Sequence, residues 1–100
     1  MPLNQEEDSI YRIFEDKLAV KFRDNHINDV NLQNRIDNKY IDLSIDPYAE
    51  AEKSFKSNRC PKCLKTRIGD YRIIYYIYQS KKEIQIIDIG HRRKIYKKWD

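Results

Sequence analysis

Residues Leu64 to Ile89 read L-K-T-R-I-G-D-Y-R-I-I-Y-Y-I-Y-Q-S-K-K-E-I-Q-I-I-D-I, and this stretch decides the fold. Leu64 to Ile68 alternates, with Lys65 and Arg67 on one face and Leu64, Thr66 and Ile68 on the other. Gly69-Asp70 is a turn signal. Tyr71 to Tyr78 is almost wholly β-branched or aromatic, as strands are. Its alternation puts Tyr71, Ile73, Tyr75 and Ile77 on one face and Arg72, Ile74, Tyr76 and Tyr78 on the other. Gln79 to Lys82 is a hairpin-sized polar break, Glu83 to Ile89 is a further strand, and Gly90 ends it. Three strands joined by short connections favour an antiparallel meander.

Upstream the period changes. Ile10 to Phe14 is short and apolar and reads as a first strand. Asp16 to Asp24 carries Leu18 and Phe22 at helical spacing. Asn28 or Asp29 suits an N-cap. Leu32, Ile36, Tyr40 and Leu43 then form one apolar stripe on a longer helix. Asp46-Pro47 stops it, because proline disfavours helical geometry in the residue before it. Residues 48–62 are polar and basic and read as a loop. The expected architecture is α+β in the order β-α-α-β-β-β. A four-stranded antiparallel sheet carries two helices on one face, followed by a short basic C-terminal tail or helix. Leu32, Ile36, Tyr40, Ile73, Tyr75, Ile87 and Ile89 are expected to share one core. Residues 1–8 are expected to be a flexible acidic tail, and 9–100 a single domain.

The composition limits the alternatives. At 100 residues the chain is one domain. Forty per cent hydrophobic residues suffice for a small core, which argues against disorder. Two cysteines cannot make a disulfide-dense secreted scaffold. No apolar run approaches the roughly 20 residues of a membrane span. The first eight residues lack the apolar stretch of a secretory signal. A cytoplasmic location is expected.

Charge is divided unevenly. Residues 1–50 hold 6 Lys+Arg against 11 Asp+Glu, and residues 51–100 hold 14 against 5. A basic half-chain suggests a face for phosphate backbones. The blander reading is lysine that solubilises an Ile- and Tyr-rich half.

Two blocks, R-I-G-D-Y-R-I-I-Y (Arg67 to Tyr75) and I-G-H-R-R-K-I-Y (Ile89 to Tyr96), resemble the RelE/ParE family of toxins from toxin–antitoxin pairs. D-P-Y (Asp46 to Tyr48) and the upstream element order are similar to that family's N-terminal half. The resemblance implies a metal-independent endoribonuclease, without cofactor, that cuts mRNA in the ribosomal A site. It also implies a RelB-like antitoxin, joined with the toxin in a higher-order hetero-oligomer. The implied chemistry is attack by a ribose 2′-hydroxyl on the adjacent phosphate, leaving a 2′,3′-cyclic phosphate and a 5′-hydroxyl. The implied catalytic residues are Lys65, Arg67, Arg72, Arg92 and Tyr96. Some relatives instead poison DNA gyrase, as in the ParE branch, and that alternative stays open.

The residues themselves agree with part of this. Side chains two apart on a strand share a face, so Lys65 and Arg67 point the same way, and Arg72 can join them from the next strand. Such cations, with no acidic partner in the motif, are costly unless an anion visits. Arg72 and Arg92 suit a phosphate clamp, because guanidinium offers forked contacts. Lys65 or Arg67 would assist at the 2′-hydroxyl. Arg72→Ala is expected to abolish toxicity and leave the fold intact. Tyr76, Arg93 and Lys94 are candidates for RNA contact. Ile74, Tyr76, Ile84 and Ile86 are expected to form an apolar surface for the antitoxin on the cationic face. His91 is a candidate acid–base residue, although alternation places it opposite Arg92. His26 reads as a helix-junction residue. Cys60 and Cys63 lack the further ligands a zinc site needs; a disulfide or redox pair and a half-site shared across a dimer stay open, and the pair reads first as two free thiols at a turn.

Overall fold

The two helices lie against a four-stranded sheet because their apolar stripes have one matching surface to bury. A computed structural model describes residues 10–52 and 56–99. The expected acidic tail at 1–8 lies outside the described residues. Strand β1 (Arg12–Glu15) leads to helices α1 (Lys17–Asn25) and α2 (Val30–Ile45). Strands β2 (Leu64–Ile68), β3 (Tyr71–Tyr78) and β4 (Glu83–His91) follow, and helix α3 (Arg92–Trp99) comes last. Asp29 caps α2 by accepting a hydrogen bond from the Leu32 amide at 3.1 Å. Asp46 closes the same helix, immediately before Pro47.

The strand order is β1-β4-β3-β2. β2, β3 and β4 form the expected antiparallel meander. β1 pairs with β4 in parallel, so the sheet is mixed and not purely antiparallel. The reason lies in the connection. The helical pair carries the chain back across one face, so β2 starts in the direction of β1. Two reversals later β4 again runs that way. Gly69 makes the β2–β3 turn with φ of 62°, a conformation open to glycine.

The main core joins Ala19 of α1 and Leu32, Ile36 and Leu43 of α2 to Ile68, Ile73, Tyr75, Ile84, Ile86 and Ile89 of the sheet. Tyr40 packs against it, partly buried. Ile87 does not belong there. A register shift pairs Ile74 with Asp88 but Tyr75 with Ile86, so Ile87 is the extra residue of a bulge. The bulge reverses the alternation, which turns Ile84 and Ile86 inward and Ile87 outward. Ile87 packs instead against a second cluster on the opposite face.

That second cluster is the work of α3. Its Ile95 and Trp99, four residues apart, lie on Ile74 and Cys63. Gly90 admits the helix, since a Cβ there would meet Ile95 side-chain atoms at 3.1 Å. The cysteines are not free thiols. The Cys63 amide donates to the Cys60 carbonyl at 3.0 Å, a tight turn that sets the Cα atoms 5.3 Å apart, and the pair forms a disulfide. Among the described residues, no helix is long and apolar enough to cross a membrane.

Candidate functional site

The face of the sheet opposite α1 and α2 carries the charged residues, because strand alternation leaves them no other side. Lys65 on β2 and Arg72 on β3 are both buried. They share an acidic partner that the motif does not contain. Arg72 Nε lies 2.9 Å from Glu52 Oε1, and Lys65 Nζ lies 3.7 Å from Glu52 Oε2. The Glu52 amide donates to the Lys65 carbonyl at 2.7 Å, which fixes the acidic residue beside β2.

Arg72 is held further by its turn. Its Nη1 donates to the carbonyls of Gly69 and Tyr71, each at 2.9 Å. Arg67, directly opposite on β2, is exposed and donates from Nε to the same Gly69 carbonyl at 3.2 Å. Helix α3 brings the last members. Tyr96 covers Lys65, whose Nζ stands 4.1 Å from the ring centroid. Arg92 is exposed one turn earlier, and its amide donates to the Asp70 carbonyl at 2.8 Å. The fold thus gathers Lys65 and Arg72 around Glu52 and lays Tyr96 on Lys65, with Arg67 beside them and Arg92 on the same helix as Tyr96.

The cations act on the Tyr96 hydroxyl. A hydrogen bond with Lys65 lowers its pKa most; burial pushes the other way, and Arg72 lowers it further. Burial raises Tyr75, and burial with the neighbouring Glu15 raises Tyr40. Spectrophotometric titration of the eight tyrosines should therefore show Tyr96 ionising early and Tyr40 and Tyr75 last. Because the folded pKa lies below the unfolded value of 10.0, Tyr96 adds stability as pH rises between the two. Below the folded value it adds none. Lys65→Met should move Tyr96 toward the ordinary range, with Arg72 still lowering it; an unchanged titration in that variant would remove the lysine as cause.

The remaining candidates sit elsewhere. Ile84 and Ile86 are fully buried in the core under α1 and α2, so they cannot meet a partner. Ile74 is sealed beneath α3. Tyr76 remains half-buried on the open face, with its ring 4.7 Å from that of Tyr78. Phe14 and Tyr78 are exposed, and Ile87 is half-buried. These replace the expected apolar surface. Arg93 and Lys94 are exposed on α3. His91 is turned to Tyr71 at 5.8 Å, away from the cation cluster. It lines a cleft of about 480 Å³ with Phe22, His26, Tyr71 and Lys94. His26 ends α1, with its Nδ1 2.8 Å from the Phe22 carbonyl. Among the described residues, no three His, Cys, Asp or Glu side chains group as metal ligands.

Comparison with known families decides the identity. Residues 10–96 match the sequence profile of the ParE toxin of type II toxin–antitoxin systems, parDE. The chain belongs to the RelE/ParE superfamily of toxins.

It is the toxin component of a toxin–antitoxin system. The fold of this toxin is similar to that in the RelBE2 toxin–antitoxin complex of Mycobacterium tuberculosis, with a TM-score of 0.68 at 19% identity. That match covers 83% of this chain and 99% of the other. The intact RelBE toxin–antitoxin complex of E. coli matches with a TM-score of 0.60 at 20% identity, covering 81% and 95%. A double mutant of E. coli RelE in the free state matches with a TM-score of 0.62 at 21% identity, covering 88% and 92%. No curated protein sequence matches the chain significantly.

Proposed function

We propose that this toxin is an mRNA endonuclease that acts in the ribosomal A site and is silenced by a RelB-like antitoxin. The observation that carries the reading is the convergence of Lys65, Arg72 and Tyr96 at one point on the open face. In the proposed reaction the ribose 2′-oxygen bonds to the adjacent phosphorus and the bond to the 5′-oxygen breaks. The 2′-hydroxyl proton leaves to a base, and a proton reaches the departing 5′-oxygen. The phosphorane gains negative charge, so fixed cations lower its energy more than that of the ground state. Arg92 and Arg67, both exposed, meet the phosphate first. Tyr96, with its lowered pKa, is placed to move a proton alongside Lys65. The work takes place in the cytoplasm, with Arg93 and Lys94 against flanking phosphates.

The antitoxin in this reading covers Phe14, Tyr76, Tyr78 and Ile87 together with the cations, in a higher-order hetero-oligomer. A second reading, binding of DNA gyrase without cleavage, is favoured by the family profile, which is that of ParE.

Induced expression followed by mapping of mRNA 5′ ends separates the two. Wild-type toxin should create new ends within translated codons. Arg92→Ala, an exposed position on α3, should reduce them by at least about tenfold with its melting temperature unchanged. Intact mRNA with arrested gyrase supercoiling would establish the second reading.

A further inference from the structure

We propose that the Glu52 carboxylate is a built-in occupant of the anion seat formed by Lys65, Arg72 and Tyr96, and that an RNA phosphate enters by displacing it. The inference rests on the proposed RNA-cleaving reading and concerns how the site meets its substrate.

The geometry is that of a bound anion. One carboxylate oxygen faces the Arg72 guanidinium at 2.9 Å and the other faces the Lys65 ammonium at 3.7 Å. Two non-bridging phosphate oxygens would present the same pair of charges to the same pair of cations. The cation side chains are only 6% and 5% exposed, whereas that of Glu52 is 28% exposed. The seat is thus part of the protein interior and its occupant sits at the mouth. The Tyr96 ring stands beside the seat, 4.1 Å from Lys65 Nζ.

Folding explains why the chain supplies its own anion. Two buried cations side by side, stripped of water, are unfavourable unless a negative charge accompanies them. The fold must stand without RNA seated in the site, so a carboxylate takes that place. Glu52 is tied through its backbone amide to the Lys65 carbonyl. Its side chain can therefore swing outward by rotamer change without unfolding the strand. The neighbouring carboxylate does not compete: Glu50 pairs with Lys39 at 2.8 Å.

The test uses the full-length toxin and two probes. The first is an all-2′-O-methyl RNA oligonucleotide, which cannot be cleaved because its attacking oxygen is blocked. The second is inorganic phosphate, read by thermal shift. Glu52→Gln should bind the oligonucleotide about tenfold more tightly than wild type at fixed ionic strength. Glu50→Gln, which removes an equal charge nearby, should change affinity by less than about twofold. Phosphate should raise the melting temperature of Glu52→Gln more than that of wild type, since it replaces the missing carboxylate. The gain should vanish when Arg72→Ala is added.

If Glu52→Gln does not fold without an anion, its recovery by phosphate reads the same seat. Glu52→Asp, with a shorter reach, then supplies the affinity comparison and should exceed wild type. Equal affinities for Glu52→Gln and Glu50→Gln overturn the proposal, as does an equal phosphate response in Glu52→Gln and wild type. A fall in kcat with unchanged affinity also overturns it, and makes Glu52 the base of the reaction. A wild-type toxin that leaves mRNA intact while Glu52→Gln still gains affinity removes the cleavage reading and keeps the seat.

Discussion

Arg72→Ala should lower the rate of the proposed mRNA cleavage on the ribosome by about 10²–10³, the usual effect of losing one contact to charge that grows in the transition state. It should not leave the fold untouched, which is where the structure departs from the sequence expectation. Arg72 is buried, pairs with Glu52 and donates to two turn carbonyls. Its removal leaves Glu52 with Lys65 alone, at 3.7 Å, and takes the donor from two turn carbonyls, at a cost of about 1–3 kcal/mol. The two effects are separable. Because Arg72 and Glu52 share one contact, Glu52→Gln should cost less stability in the Arg72→Ala background than in wild type, while cleavage stays low. Urea denaturation and single-turnover cleavage on the four proteins of that cycle measure both. Recovery of activity together with stability would show that Arg72 is structural only. Arg72→Lys should restore little, because an ammonium cannot hold Glu52 and two carbonyls in one plane.

How much of this was legible in the sequence depends on which physical signal each feature leaves. The α2 stripe and the β2–β3 alternation are periodic, and the structure keeps both: Leu32, Ile36, Ile73 and Tyr75 meet in one core. Periodicity carries no sign of strand direction, so the parallel pairing of β1 with β4 was invisible. It also assumes a constant phase. The extra residue at Ile87 inverts every side chain of β4 before it, which placed Ile84 and Ile86 on the wrong face.

The site divides in the same way. Lys65, Arg67 and Arg72 lie on adjacent strands, and a two-residue period is enough to bring them together. Glu52 stands outside any motif and reaches them through the path of the loop. One signal could have found it: buried cations require a carboxylate, and only a few lie close in sequence. Ile95 and Trp99 do have helical spacing, but a single i, i+4 pair in a strongly basic segment is too weak a period to mark a buried face. The disulfide could not be read because spacing alone does not distinguish a bridged turn from a pair of thiols.

Trp99→Ala should be the most destabilising single change outside the main core. The indole lies on Ile74, Cys63 and Ile95, and its Nε1 donates to Asp88 Oδ2 at 2.9 Å. The Arg59 guanidinium stands 5.3 Å from the ring, and the Ser57 hydroxyl donates to the Trp99 carbonyl. Truncating a buried tryptophan costs about 3–5 kcal/mol, a large part of the roughly 5–15 kcal/mol that holds a small domain together. Trp99→Phe keeps most of the packing and leaves Asp88 its ion pair with Lys98 at 2.9 Å, so it should cost only about 1–2 kcal/mol. The consequence reaches the site because α3 carries Tyr96. Once the last turn loses its anchor, Tyr96 leaves Lys65 and its ionisation returns toward the ordinary tyrosine range. Denaturation and tyrosine titration on the same samples test the linkage. A Trp99→Ala toxin that loses stability but keeps an early-ionising Tyr96 would mean that Lys65 and Arg72 hold the helix without its hydrophobic anchor.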